Sequence, residues 1–223
     1  MTSAQRVRMA LEHKAPDRVP TFFRRSAPED QRLTAEQQSY IDEIIDVGPY
    51  LCMDSPYTFK EENGINYALN EITTTVGAKQ ALFAAMMVIA QPGDEVLLPI
   101  PCWVSYTEMV KLSGATPVFV RVRQDDYTLD PEAIEKAITP RTKAIVICSP
   151  NNPTGALYPK EILEQIVQIA RENQLIIFSD EIYDRLLLDG LKHTATASLA
   201  PDLVVVTMNG LSKSHSLCGY RCG

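Results

Sequence analysis

From about residue 70 onward, short apolar runs alternate with helical stretches, and this alternation restricts the fold more than any other feature of the sequence. KAIVIC (143–148), LIIFS (175–179) and LVVVT (203–207) are apolar almost throughout, the pattern of strands buried on both faces. Between the first two lies 159–172. Ile162, Leu163, Ile166, Val167 and Ala170 form its inner stripe, and Glu161, Glu164, Gln165, Gln168 and Arg171 face out. Strands that alternate with helices predict an α/β fold, a mostly parallel sheet with helices on both faces.

Further strands are predicted over 71–75, 95–98 and 117–122, and further helices over 78–91, 104–112 and 131–138. The helix over 78–91 is apolar nearly all round, so burial is expected. Gln91-Pro92-Gly93-Asp94 ends it, and Pro131 opens the 131–138 helix. Residues 1–56 are poorly patterned. Short helices over 4–13 and 36–46 flank a charged stretch with Pro20 and Pro28. The expected organisation is an irregular segment over 1–56 followed by one domain over 57–223.

The charge balance narrows the partners. A formal net charge of -7 argues against binding a nucleic-acid backbone, while leaving room for a local basic site that holds one small phosphate. The five cysteines are odd in number and irregular in spacing, which argues against a disulfide framework. Cys218 and Cys222 have no second ligand pair at metal-site spacing, so no metal site is expected. The longest apolar run, 81–90, is far short of the roughly 20 residues that cross a bilayer. The N-terminus has scattered charges and no apolar core of a secretory signal. The expected setting is a reducing cytoplasm, away from membranes.

In open α/β sheets, ligands bind beyond the carboxyl ends of the strands. After 71–75 come Gly77, Ala78 and Lys79, opening a helix. After 143–148 comes SPNNPTG, after 175–179 comes DEIY, and after 203–207 comes NGLSK. All four sets are expected on one rim. A glycine at a helix start offers bare N–H groups to a phosphate. Asparagine and tyrosine hydrogen-bond an aromatic oxyanion, and a buried carboxylate holds a ring nitrogen protonated. A lysine amine condenses with an aldehyde, and an arginine forks onto a phosphate.

SPNNPTG, SDEIYD and NGLSKSHSLCGYRCG resemble the class I/II aminotransferases, which are fold-type I enzymes dependent on pyridoxal 5'-phosphate (PLP). TVGAKQALF, PGDEV, PCWVSY and ITPRTKAIV agree in order and spacing, and the nearest likeness is to the aspartate- and alanine-aminotransferase-like branch. The resemblance spans roughly 57–223. It implies transfer of an amino group between an amino acid and a 2-oxo acid. Lys213 matches the lysine that holds PLP in a Schiff base and then shuttles the substrate's Cα proton. A solvated surface lysine is the ordinary alternative, set against the apolar strand and the GLSK context. Asp180 matches the carboxylate that pairs with the pyridinium nitrogen; the alternative is a helix N-cap. Tyr183 and Asn152 match the donors to the ring's 3′ oxygen. A turn role competes for Asn152, and Asn151 beside it is separated from it by resemblance alone. Trp103 matches the aromatic stacked on the ring, with core packing as the alternative. Gly77, Ala78 and Lys79 match the phosphate-cradling turn through their backbone amides. Arg221 matches the phosphate arginine, and Tyr57 resembles a tyrosine that reaches a partner subunit's phosphate. His193 and His215 show no carboxylate–serine partner pattern and are read as non-catalytic.

Three departures from the family pattern stand out. The sequence stops just after GYRCG, so the resemblance implies a truncated large domain, an absent C-terminal small domain and no match for the arginine that grips the substrate α-carboxylate. A helix of about four turns expected between Thr58 and Phe59 is missing, which leaves the contacts of the family's homodimer incomplete. RVRMALEHKAPDRVP lacks the usual substrate-contacting glycine and resembles, over a short span, the start of uroporphyrinogen decarboxylase-type barrels. Another PLP-dependent reaction of the same fold (lyase, decarboxylase or synthase) and a non-catalytic PLP-binding fragment are the alternatives. A nicotinamide-binding α/β protein is disfavoured, because no G-x-G-x-x-G joins the first strand to its helix.

Overall fold

A computed structural model describes residues 72–223, together with two short strands, β1 (Phe59–Lys60) and β2 (Asn66–Tyr67), which pair antiparallel. The readings placed on residues 1–56, on Tyr57 and on the junction at Thr58 lie outside the described residues.

In chain order the main elements are α1 (Ala78–Ile89), β3 (Glu95–Ile100), α2 (Val104–Leu112), β4 (Thr116–Arg121), α3 (Pro131–Ala137) and β5 (Thr142–Cys148). Then come α4 (Lys160–Glu172), β6 (Ile176–Asp180), β7 (Val205–Met208) and the single-turn α5 (Leu211–Ser214). Five strands make one sheet in the order β4-β3-β5-β6-β7, and every pair in it is parallel. The expected α/β class is what the chain adopts.

The two-residue period of a strand divides the core into two layers. Leu97, Ile145, Ile147 and Ile177 point to one face, where they pack with Ile134 of α3 and with Leu163, Ile166 and Val167 of α4. Val96, Leu98, Ala144, Val146, Cys148 and Phe178 point to the other, against Leu82 and Met86 of α1 and Tyr106, Met109 and Val110 of α2. The stripe predicted on α4 is buried as expected, with Ile169 added to it. Asp130 caps α3 by accepting from Ala133 N at 3.3 Å, with Pro131 next in line.

Three expectations fail in instructive ways. The stretch 72–75 is extended but joins no sheet strand; Thr75 exchanges backbone hydrogen bonds with Gly223 (2.6 and 3.1 Å), and Val76 bridges to Cys222. Its β-branched residues favour extension, but its pairing comes from a segment nearly 150 residues away, which no local pattern encodes. Helix α1 ends at Ile89 and is buried along one side only. Phe83, Met87 and Val88 are 36%, 47% and 78% exposed, although the helix is apolar all round. Strand β3 runs on through Pro99 to Ile100. β5 pairs with β3 only as far as Leu97, so beyond that point a proline costs no ladder bond on that side.

The chain passes from β3 outward to β4 and then returns across β3 to β5. That reversal of strand order opens a crevice at the carboxyl ends of β3 and β5, the place where such sheets bind ligands.

Candidate active site

A cavity of about 360 Å³ occupies that crevice, with Lys79, Trp103, Asn152, Asp180, Tyr183 and Lys213 among its walls. Ala78 and Arg221 also line it. The four sets expected on one rim therefore do meet. Gly77 stands one residue outside the wall, at the turn into α1.

Asp180 is the last residue of β6. Strand alternation puts it on the same face as Phe178, toward α1 and α2. Its side chain is buried. Oδ2 accepts from the Tyr106 hydroxyl at 2.6 Å and Oδ1 from Ile182 N at 3.2 Å. No α-helix follows, so the N-cap alternative gives way to a turn closed on the carboxylate. Burial pushes the Asp180 carboxyl above its ordinary range; the hydrogen bonds from Tyr106 and Ile182 oppose that shift, and the neighbouring Glu181 charge adds to it. Neither of its partners is cationic. The same burial, with the Asp180 charge beside it, drives the Tyr106 hydroxyl far up and the Cys148 thiol to about 12, so both stay protonated.

Tyr106 is a site residue that motif reading missed. Its signal was the PCWVSY spacing: Trp103 and Tyr106 are three apart at the start of α2 and share one face, their rings T-shaped at 5.4 Å. Trp103 presents a ring to the cavity, and Lys79 Nζ stands 4.7 Å from that ring's centroid. The Lys79 side chain is thus part of the wall, in addition to any role of its backbone. Ser212, beside Lys213 in GLSK, lines the cavity too and was likewise passed over.

The structure separates the two asparagines. Asn151 does the turn work, accepting from Thr154 N and Oγ1 at 3.3 and 2.9 Å. Asn152 turns to the cavity and donates through Nδ2 to the Tyr183 hydroxyl at 3.3 Å. Lys213, on α5, holds Nζ 5.9 Å from the Tyr183 ring centroid.

Gly77 has φ +80°, a conformation that glycine alone adopts without strain. A Cβ there would strike the Arg221 guanidinium, which lies directly against the turn. Arg221 is itself left-handed (φ +52°) and donates to Cys218 O at 2.9 Å and Val76 O at 3.4 Å. A guanidinium packed on a glycine turn at the N-terminus of a twelve-residue helix is suited to an anion.

His193 requires a correction. Its Nε2 lies 2.9 Å from Glu181 Oε2, and Glu181 Oε1 accepts from Ser179 Oγ at 2.8 Å and Thr196 N at 3.0 Å. A carboxylate–serine neighbourhood does exist, with Ser179 two residues before Glu181 and His193 twelve after it. Strand alternation sets Ser179 on the face opposite Asp180, and neither Ser179, Glu181 nor His193 lines the cavity that holds Lys213. His215 meets only its neighbour's hydroxyl, Ser214 Oγ at 2.8 Å from Nδ1. Among the described residues the four cysteines are free thiols, no group of side chains is arranged to hold a metal ion, and no helix is long and apolar enough to cross a membrane.

A parallel sheet with a lysine, a buried carboxylate and a glycine turn suited to an anion at its switch point is the arrangement of a ligand site in the α/β class. The comparisons with known proteins specify the class further. The family model described as aminotransferase class I and II matches residues 56–223, and the chain belongs to that family. It is 46% identical over 168 residues to the aspartate aminotransferase of Bacillus sp. (strain YM-2), covering 74% of this chain and 43% of that protein. A solved aspartate aminotransferase of Thermus thermophilus with maleate superposes with a TM-score of 0.71 at 46% identity, over 74% of this chain and 43% of the other. An alanine aminotransferase of Pyrococcus furiosus gives 0.71 at 42% identity, over 74% and 42%. The chain therefore spans somewhat under half the length of the relatives it matches.

Proposed function

We propose that this chain carries the cofactor half of a PLP-dependent aminotransferase, transferring an amino group between an amino acid and a 2-oxo acid. The observation that carries the reading is a buried carboxylate without a cationic partner, Asp180, in one cavity with Trp103, Lys213 and Arg221. Asp180 would pair with a protonated ring nitrogen, Trp103 would cover the ring, and Arg221 at the Gly77 turn would hold the phosphate. The cavity of about 360 Å³ is of small-molecule size. The domain reading, a partial PLP-binding large domain over 57–223, goes with this proposal, and so does the cytoplasm, which the free thiols support.

When bound, PLP draws electrons from the amino acid's Cα and so acidifies the proton there. The chain's own residues do the rest. Asp180 holds the proton at the ring nitrogen, and Tyr106 holds Asp180. Tyr183 and Asn152 supply donors at the ring's phenolic oxygen. Lys213 Nζ is the base that takes the Cα proton and returns it on the other side of the exchange. The Ala78 and Lys79 amides, Ser212 and Arg221 hold the phosphate. The proposed partners are the two small acids and, as the resemblance implies, a second copy of the chain.

The test is to add PLP, reduce with borohydride and map the modified peptide. A pyridoxyl group on Lys213 is expected, and one elsewhere overturns the assignment. With an amino acid supplied, its consumption is expected to require a 2-oxo acid acceptor; acceptor-independent consumption overturns transamination.

A further inference from the structure

Behind the cavity, two turns are tied together by side chains that do not line it. Asn209 Nδ2 donates to Asp184 Oδ2 at 3.0 Å, while Asn209 Oδ1 accepts from Gly210 N at 2.7 Å. Asp184 directly follows Tyr183. Asn209 and Gly210 directly precede α5, which carries Lys213. Both tied residues line a separate cavity of about 710 Å³ on the far side, and neither touches the first.

The tie adds a direct link between turns that backbone bonds hold separately, Leu211 N to Cys222 O at 3.1 Å in one and Asp184 N to Glu181 O at 3.0 Å in the other. Strands β6 and β7 stay in register up to Asp180 and Met208, and one more backbone bond follows, Glu181 N to Met208 O at 2.8 Å. Past that point the ladder is over, yet Tyr183 and Lys213 must still be set against each other. Helix α5 has four residues and no side-chain cap at its N-terminus. One turn of helix does not hold its own direction, because a lone turn fixes many dihedrals for a single hydrogen bond. An amide bonded to a carboxylate is charge-assisted and directional, and here it is largely buried, Asp184 being 16% exposed.

We infer that Asp184 and Asn209 are a positioning pair that sets the Lys213 amine against the Tyr183 ring, and thereby aligns both on the cofactor's aldehyde and phenolic oxygen. This rests on the PLP reading above. The pair acts through other residues and touches no reacting atom.

The test measures dissociation constants of the whole chain for PLP and for pyridoxamine phosphate, read from the fluorescence of Trp103, the sole tryptophan. Pyridoxamine phosphate has no aldehyde, so its binding does not draw on the Lys213 amine. Asn209→Asp sets a second carboxylate against Asp184, whose Oδ2 also lies 3.8 Å from Arg185 Nε. It is expected to weaken PLP about tenfold, close to what a lost charge-assisted hydrogen bond costs, and pyridoxamine phosphate by less than about threefold. Adding Asp184→Asn restores an amide–carboxylate pair in reverse and is expected to recover PLP binding to within about threefold of the parent. Equal weakening of both cofactor forms, or no recovery in the swap, overturns the pair's role. A parent chain that gives no pyridoxyl-Lys213 after borohydride overturns the PLP reading and this inference with it, whereas a parent that binds beside an unaffected Asn209→Asp overturns the inference alone.

Discussion

Burying Asp180 at the cavity wall works against stability at neutral pH. Burial raises its carboxyl pKa in the free protein, so the folded state binds that proton more tightly than the unfolded chain does. Its contribution to stability is fully present below the ordinary aspartate value of 3.8 and is lost as pH rises through the raised value. Asp180→Asn is therefore expected to make the cofactor-free chain more stable than the parent at pH 7, with the two converging near pH 3, as measured by thermal unfolding. The same change is expected to weaken PLP at least about tenfold, because the ring nitrogen loses its counter-charge. Tyr106→Phe removes the 2.6 Å hydrogen bond that lowers the Asp180 pKa, so that pKa rises further. A loss of about 1–3 kcal/mol in unfolding free energy is expected at neutral pH, since the carboxylate loses a buried donor; denaturant titration measures it.

At the scale of elements, the two ends of the sheet are held differently. At the carboxyl end, the turn into α1 depends on glycine at position 77, where a side chain would be strained and would push into Arg221. Gly77→Ala is expected to weaken PLP by about tenfold or more through displaced phosphate contacts, with equilibrium dialysis as the readout. At the amino end, Glu95 opens β3 and binds the α3–β5 connection. It accepts from Thr139 Oγ1 at 2.5 Å, from Arg141 Nε at 2.9 Å and from the same guanidinium's Nη2. The Thr139 hydroxyl first, then Arg141, holds its carboxyl below the ordinary 4.5. A lowered pKa stabilises above the unfolded value, and that contribution is lost as pH falls through the folded one. Glu95→Gln is accordingly expected to cost about 1–2 kcal/mol at pH 7 and progressively less as pH falls below 4.5, by denaturant unfolding across that range.

Across the whole molecule, stability rests on two apolar layers that the strands share by alternation. Leu163 is fully buried on α4, in the apolar layer on the other face of the sheet from the cavity residues Leu82 and Tyr106. Leu163→Ala is expected to cost about 2–5 kcal/mol of unfolding free energy without shifting PLP affinity per folded molecule. The site uses the sheet in another way: the reversal of strand order leaves a crevice, and the strand ends deliver Trp103, Asn152, Asp180 and Lys213 into it.

The sequence by itself determined the layered α/β plan, because strand and helix periodicities are local and the apolar runs at β5, β6 and β7 admit little else. It also determined which residues could bear chemistry, since SPNNPTG and NGLSK each follow a strand and SDEIYD straddles the end of one. Only the tertiary structure decided what joins across the chain. The Tyr106–Asp180 bond spans 74 residues, the pairing of Thr75 with Gly223 spans 148, and Glu181 finds His193 outside the cavity that holds Lys213. It also decided that α1 buries one side and leaves Met87 and Val88 in solvent. Periodicity reports how apolar a face is; what covers that face depends on which elements the strand order brings beside it.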